Sequence, residues 1–247
     1  MFSAILHHYE TFSLSELDSN DLLMSNRFES KYFFHLSQVD TILEACKKKY
    51  KLLNIDDRRI FDYQNCYFDT ADFQLFFSHH KGKPSRVKIR KRVYQNSNLS
   101  FLEVKQKTSK GTTNKFREIS DRIDNSADFI LNHSGMDLKD LHPAINNQYK
   151  RMTFLHKERL EKVTIDINLN FDMFGKKAGF DNLAIAEVKT EENSGSEFCS
   201  IMKSIGLREG GLSKYCLGVI SLNPDIKHNN FKAMYKQIKK KNTNESK

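Results

Sequence analysis

The chain has 247 residues, 38% of them hydrophobic, with 40 Lys plus Arg against 31 Asp plus Glu and a formal net charge of +9. That length and apolar content suit one domain with a packed core, and no apolar run approaches the roughly 18 to 20 residues needed to cross a bilayer. The basic balance favours a polyanionic partner, whether nucleotide, polyphosphate, nucleic acid or anionic membrane, while four scattered cysteines with no Cys-x-x-Cys pair argue against a zinc ribbon or a disulfide scaffold.

Met1 to Glu10 lacks a basic segment leading into a sustained apolar one, so no secretory leader is expected and a reduced, cytoplasmic setting is the default. Residues 1–24 read as a lead-in segment with helix starts near Ser13 and Ser15. The core pattern begins at Arg27, where Arg27-Phe-Glu29-Ser-Lys31-Tyr32 alternates charge with bulk as a strand does. Ser37 and Asp40 then open a helix carrying Val39, Ile42, Leu43, Cys46 and Tyr50 at helical spacing. Asn65 to Asp69 reads as a strand, and Asp69 or Thr70 as the cap of a short helix that takes Phe73, Phe76 and Phe77 into the core. The pairs His7-His8 and His79-His80 have no partner at metal-binding spacing and read as surface residues.

Next comes the most informative stretch. Arg86, Lys88, Arg90, Arg92 and Tyr94 fall at every second position, with Val87, Ile89 and Val93 between them, which makes a strand with one cationic face. After the turn signal Asn96-Ser97-Asn98, the pattern returns as Glu103, Lys105 and Lys107 against Leu102 and Val104. A loop at Thr108 to Asn114 leads to a third run with Lys115, Arg117 and Ile119 on one parity. An ordinary hairpin with its charges in water is the plain alternative. Like charges stacked on one strand face repel, however, and such a face calls for an anion. Phosphate fits it, since Arg offers a planar donor fork and Lys a compact point charge.

Residues 126–142 read as helical, Gln148 to Phe154, Lys157 to Leu169 and Leu183 to Thr190 as strands, and 171–182 with Gly175 and Gly179 as a hairpin loop. Glu197 to Ile205 reads as a helix closed by Gly206, Tyr215 to Ser221 as a final strand, and Phe231 to Lys241 as a basic helix fraying into Asn242 to Lys247. Many short strands with interspersed helices indicate an antiparallel α+β protein. If the cationic parity faced solvent, the domain would carry a polybasic shell; if it faced the inside of a closed barrel, helices would cover the apolar outside and the lumen would hold a polyanion. Periodicity leaves that choice open.

The ordered set Arg27-x-Glu29-x-Lys31-Tyr32, Tyr67-Phe-Asp69-Thr70, Lys88-x-Arg90-x-Arg92-x-Tyr94, Glu103-x-Lys105-x-Lys107, Tyr149-x-Arg151, Asp166, Glu187-x-Lys189 and Ser213-Lys214-Tyr215 resembles the VTC (vacuolar transporter chaperone) domain of polyphosphate polymerases, within the triphosphate tunnel metalloenzymes. The resemblance runs through about residues 25–222, leaving 1–24 as the lead-in and 223–247 as a basic helix and tail. It implies a closed antiparallel β-barrel with a basic lumen and outer helices, in which ATP passes its terminal phosphoryl group to a growing inorganic polyphosphate chain with Mn²⁺ or Mg²⁺. Under it, Lys31, Lys88, Arg90, Arg92, Lys105, Arg151, Lys189 and Lys214 are the expected catalytic cations. Arg86, Tyr94, Lys107, Lys115, Arg117 and Lys162 are expected as further substrate contacts. For the metal, Glu187 is the first choice, with Glu29 and Glu103 as candidates, because hard cations prefer oxygen ligands.

Departures from the pattern carry meaning. Triphosphatases and cyclases of the tunnel group open with Glu-x-Glu-x-Lys, whereas Arg27 fills the first Glu position here, favouring the VTC branch and removing one metal ligand. The chain has neither Gly-x-x-x-x-Gly-Lys-Ser/Thr nor Gly-x-Gly-x-x-Gly. A tunnel triphosphatase acting on tripolyphosphate or nucleoside triphosphates is the runner-up, and a non-catalytic polyanion binder the third reading. No specific nucleic acid is expected, since the aromatics do not interleave with the cations as a stacking groove requires. The basic surface leaves room for peripheral contact with a membrane.

Overall fold

The computed structural model describes residues 2–23, 27–97, 99–191 and 195–243; Asn98 of the turn signal, the tail 244–247 and the side chain of Arg27 lie outside what is described. The strands are β1 (Thr11–Phe12), β2 (Arg27–His35), β3 (Tyr50–Leu53), β4 (Phe61–Asp69), β5 (Arg86–Tyr94), β6 (Leu99–Lys107), β7 (Thr113–Ile119), β8 (His142–His156), β9 (Glu161–Met173), β10 (Lys176–Phe180) and β11 (Leu183–Glu191). The helices are α1 (Ser3–His7), α2 (Leu14–Leu23), α3 (Val39–Cys46), α4 (Gln74–His80), α5 (Ala127–Ser134), α6 (Glu197–Ser204), α7 (Lys214–Leu222) and α8 (Lys232–Thr243).

One sheet holds every strand, with the main order β2-β11-β9-β8-β4-β5-β6-β7; β10 adds to β9, β3 to β8, and β1 pairs in parallel with β3. The remaining ladders are antiparallel. The expectation of a closed barrel is corrected here: among the described residues no ladder joins the two edge strands β2 and β7. A non-strand segment takes the outer edge of β2 instead, with Tyr32 bridging to Glu209 and Gly210 N donating to Lys31 O at 2.8 Å. The sheet nonetheless wraps a cavity lined from β2 round to β7.

The apolar parity of the strands packs outward under helices. Ile89, Leu102 and Val104 meet Ile130 of α5 and Leu75 of α4, and Val163 and Ile165 meet Ile42 of α3 and Phe198 of α6. Each such side chain taken out of water is worth about 1.5 to 3 kcal/mol, so the covered face stabilises the sheet while leaving the charged face inside. Near Asn168, whose φ is +53°, the β8–β9 register shifts between Gln148 and Lys150. A bulge of this kind exchanges strand faces, and Leu169, Phe171 and Met173 beyond it form one apolar cluster with α7.

Four segments differ from the sequence reading. Tyr215 to Ser221 lies in α7 and is not a strand: Tyr215 to Ile220 are all buried, so no amphipathic period separates helix from strand, and Ser213 Oγ caps it by accepting from Cys216 N at 3.2 Å. Gly218 sits where an added Cβ would come within 2.4 Å of Ile145 Cδ1 and Phe171 Cδ1, a close approach that only glycine permits. The stretch 171–182 is mostly paired, β9 and β10 meeting at a tight turn with Gly175 at φ +80°. In the third segment the helix beginning at Val39 ends at Cys46, and Tyr50 opens β3. Finally, the 126–142 region is α5 plus a single 3-10 turn at Leu138–Asp140. As read from sequence, Asp69 caps α4, accepting from Leu75 N and Phe76 N at 2.8 Å each, and its Oδ2 also accepts from Tyr215 OH, tying β4, α4 and α7 together.

Candidate phosphate-binding cavity

The inner face of the sheet encloses about 910 Å³, lined among the described residues by thirteen Lys or Arg side chains and five Asp or Glu. Ladder register arranges them in rows. Across β4, β5, β6 and β7, Tyr67 faces Arg90, Arg90 faces Glu103, and Glu103 faces Arg117; one row along, Lys88 faces Lys105 and Lys105 faces Lys115. On the other wall, across β8, β9, β11 and β2, Arg151 faces Asp166; Thr153 faces Thr164, then Glu187, then Lys31; and Lys162 faces Lys189, then Glu29.

Two buried carboxylates organise five of these cations. Glu103, 1% exposed, sits 2.6 Å from Arg90 Nη2 and 2.8 Å from Lys115 Nζ, with Arg92 Nη1 at 3.9 Å. Burial raises its proton affinity, but Arg90, Arg92 and Lys115 together outweigh burial and hold the carboxyl below the usual range. Asp166, also 1% exposed, receives a fork from Arg151, Nε at 2.6 Å and Nη2 at 2.8 Å, and a bond from Lys214 Nζ. Burial again works against the charge, and Arg151 and Lys214 overcome it.

Tyrosines space these groups. Tyr63 stacks on Tyr149 with centroids 5.4 Å apart, and the guanidiniums of Arg92 and Arg151 lie 5.2 and 5.1 Å from the Tyr63 centroid. Lys214 Nζ lies 4.8 Å over Tyr149, whose hydroxyl accepts from Arg92 Nη2 at 3.3 Å. These are cation–π distances, and they fix guanidinium planes that would otherwise splay apart. Burial raises the Tyr149 hydroxyl, yet Arg151 and Arg92 leave it below its usual value.

Lys88 and Lys105 stand apart. Among the described residues neither side chain makes an ion pair or a hydrogen bond. Burial, with Arg90 and Lys189 nearby, pushes the Lys105 ammonium well below the usual lysine range. Burial also lowers the Lys88 ammonium, with Arg86 and Arg90 adding to it. Two facing ammoniums with no ion pair of their own repel each other, and an anion lying between them would relieve that repulsion.

Of the other residues named from sequence, Arg86, Tyr94, Lys115, Arg117, Lys162 and Lys189 line the cavity, whereas Lys107 and Glu103 do not. Glu103 lies beneath the cations as their counter-ion. Glu187 does face the cavity, 3.5 Å from Lys31 and 3.3 Å from Lys189, and those two cations with Lys105 and Arg151 hold its carboxyl well below the usual range against the effect of burial. Glu29 pairs with Lys31 on the same rim. No group of three His, Cys, Asp or Glu converges among the described residues, so the side chains supply no complete metal cage. Two carboxylates beside a cation-lined cavity nonetheless match the way Mg²⁺ and Mn²⁺ share one or two carboxylates with substrate phosphates.

The histidine reading is corrected in part. His79 lines the cavity, where burial together with Lys88 and Arg86 pushes its imidazole down to about 2. His80 is 4% exposed and stacks on Phe76. His7 and His8 are exposed. The sequence reading also passed over Tyr63, Thr153 and Thr164, all of which line the cavity. The signal for Tyr63 was its even spacing with Asn65 and Tyr67; for the threonines it was their shared parity with Arg151 and Asp166.

A family model described as the VTC domain matches residues 26–134 and 131–223. No curated protein matches the chain. Among solved structures, a candidate adenylate cyclase from Bacillus halodurans is similar at 14% identity and TM-score 0.53, over 76% of this chain and 94% of that one. A candidate adenylyl cyclase from Hippeastrum, described as revealing a dominant triphosphatase activity, is similar at 16% identity and TM-score 0.51, over 81% of this chain and all of that one. At those identities the likeness is one of fold, that of the triphosphate tunnel proteins.

Proposed function

The chain belongs to the VTC domain family, and from that membership together with the cavity we propose that it is a metal-dependent polyphosphate polymerase, passing the terminal phosphoryl group of ATP to the end of an inorganic polyphosphate chain. The observation that carries the reading is the facing pair Lys88 and Lys105, without an ion-pair partner among the described residues in a cavity where cations outnumber carboxylates. A linear polyanion satisfies such a row, because successive phosphates present charge at successive positions along it.

In the reaction, an oxygen of the chain's terminal phosphate attacks the γ-phosphorus, the bond from that phosphorus to the β–γ bridging oxygen breaks, and ADP leaves with the electron pair. The transition state is loose and anionic, so catalysis is mostly positioning and charge stabilisation. Arg90 and Arg92, oriented by Glu103 and the tyrosines, present fixed guanidinium planes to equatorial oxygens. Arg151 and Lys214, held by Asp166, do so from the other wall, while Lys88, Lys105 and Lys31 supply ammoniums. A divalent cation, held by Glu187 with Glu29 and phosphate oxygens, would neutralise charge on the transferring group.

The test is purified protein with ATP and Mn²⁺ or Mg²⁺, resolved for chain length. Chains longer than triphosphate appearing with ADP support the reading. Inorganic phosphate with ADP and no polymer refutes it and leaves a triphosphatase in which water replaces the acceptor chain. Metal-independent binding without turnover leaves a polyanion-binding domain.

A further inference from the structure

The inward face of β5 and β6 changes chemistry along its length. At one end it is cationic, with Arg86 facing Lys107 and Lys88 facing Lys105. Nearer the β5–β6 turn the same parity carries Arg92 facing Phe101, and the last row pairs Tyr94 with Leu99. Side chains alternate along a strand, so Phe101 and Leu99 stand on the face that carries Lys105. All of Tyr94, Leu99 and Phe101 line the cavity, beside Asn96 and Ser97 of the turn and Leu14 of α2. Leu99 is 47% and Leu14 50% exposed, so this mouth offers apolar surface to whatever enters it.

An inorganic phosphate chain has no apolar atom and makes no use of such a surface. Exposed apolar residues grouped in one place mark a binding site, and continuity with the cation rows narrows the ligand to one with an apolar head on a polyanionic tail. Ring geometry makes that head planar. Phe101 meets Tyr94 edge-on with centroids 5.8 Å apart, and the guanidinium of Arg117, an exposed residue that also lines the cavity, lies 5.0 Å from the Phe101 centroid. A guanidinium plane layered on an aromatic ring is a platform on which a nucleobase stacks. Along β5, Tyr94 and Arg90 are separated by about 13 Å of strand, a gap that the ribose and first phosphates of a nucleotide bridge.

We propose that Leu99, Phe101 and Arg117 form a nucleobase subsite, so that a nucleoside triphosphate lies with its base at the β5–β6 turn and its γ-phosphate toward Lys88 and Lys105. The subsite rests on reading the cavity as a triphosphate site. It gives the phosphoryl donor a fixed polarity: the γ-phosphate faces the Arg86 end, an acceptor chain meets it from that side, and the nucleoside diphosphate leaves by the apolar mouth. Stacking reads the π-face that every base has, so the subsite selects a nucleotide over a bare phosphate chain without choosing among bases.

The experiment compares two probes by calorimetry, with divalent metal chelated to prevent turnover: ATP, and ribose 5-triphosphate, which carries the same phosphates and no base. Wild-type protein should bind ATP about tenfold more tightly, the worth of one stacked base. Phe101→Ala should erase that preference, weakening ATP about tenfold while leaving ribose 5-triphosphate within about twofold of wild type. Leu99→Ser alters an exposed side chain that the fold does not depend on, and should weaken ATP about fourfold with ribose 5-triphosphate unchanged. Equal affinity of wild-type protein for the two probes, or equal weakening of both probes by each variant, overturns the subsite and leaves the phosphate cavity standing. Wild-type protein that binds neither probe overturns the subsite together with the triphosphate reading. Polymer formation is scored separately, so base-selective binding in a protein that makes no polymer supports the subsite while removing the polymerase reading.

Discussion

Replacing Arg90 by Met is expected to destabilise the protein, while replacing Lys105 by Met is not, although both are cations on the same face of one hairpin. Arg90 reaches the Glu103 carboxylate with Nε and Nη2, each at 2.6 Å, and the two side chains are 13% and 1% exposed. Removing one partner of a buried pair strands a buried charge at a cost of about 3 to 5 kcal/mol. Lys115 remains 2.8 Å from the other carboxylate oxygen, which places the expected loss at the lower end, about 3 kcal/mol. In a chain of this size each kcal/mol moves the midpoint by about 2 to 4 °C, so Arg90→Met should melt roughly 6 to 12 °C lower in a circular-dichroism scan at pH 7. Lys105 has no such partner and is repelled by Arg90 and Lys189, so Lys105→Met should hold or raise the midpoint. Adding Glu103→Gln to Arg90→Met should recover much of the loss, because the stranded charge is gone. An equal fall in the two single variants, or no recovery in the double, would refute the assignment of Glu103 as the counter-ion that organises this wall.

Glu103 and Lys105 each make stability rise with pH, in widely separated windows. The folded-state carboxyl of Glu103 is held below its unfolded value, so its contribution is complete above about pH 4.3 and is lost as pH falls through the folded value. Lys105 binds its proton less tightly when folded, so stability climbs as pH rises toward about 10.4, and Lys105→Met should flatten that climb in melts recorded at several alkaline pH values. Glu187→Gln keeps shape but loses the charge that would anchor a hard cation, so turnover should lose its response to Mn²⁺ or Mg²⁺ while nucleotide binding by calorimetry persists; an unchanged metal titration would move the ligand role to Glu29. Lys214→Ala leaves the Arg151 fork on Asp166 intact, so the fold should hold while the ATP concentration for half-maximal rate rises and the rate falls; steady-state kinetics unchanged in both parameters would remove Lys214 from the substrate's surroundings. Gly218→Ala should cost about 1 to 3 kcal/mol by overpacking against Ile145 and Phe171, read as a lower urea midpoint.

Much of this molecule is legible in one dimension. Period-two alternation assigns Arg86, Lys88, Arg90 and Arg92 to one face and Val87, Ile89 and Val93 to the other, because side-chain direction along a strand is a local property of the backbone. Capping by Asp69 and the stop at Gly206 are equally local. Alternation says which residues share a face but not which way that face curves, and only the assembled order from β2 to β7 turned the cationic side inward. Tyr215 to Ser221 gave no usable period, because an unbroken run of buried residues has no polar side to mark it; packing against Phe171 and Ile145 made it a helix with a glycine at the contact. The roles of the carboxylates were likewise undecided in sequence. Glu103, Asp166 and Glu187 are all acids at inward positions of basic strands, yet the first two lie beneath paired cations and the third faces the cavity. Charge partners are set by register between strands far apart in the chain, and register is a product of the tertiary fold.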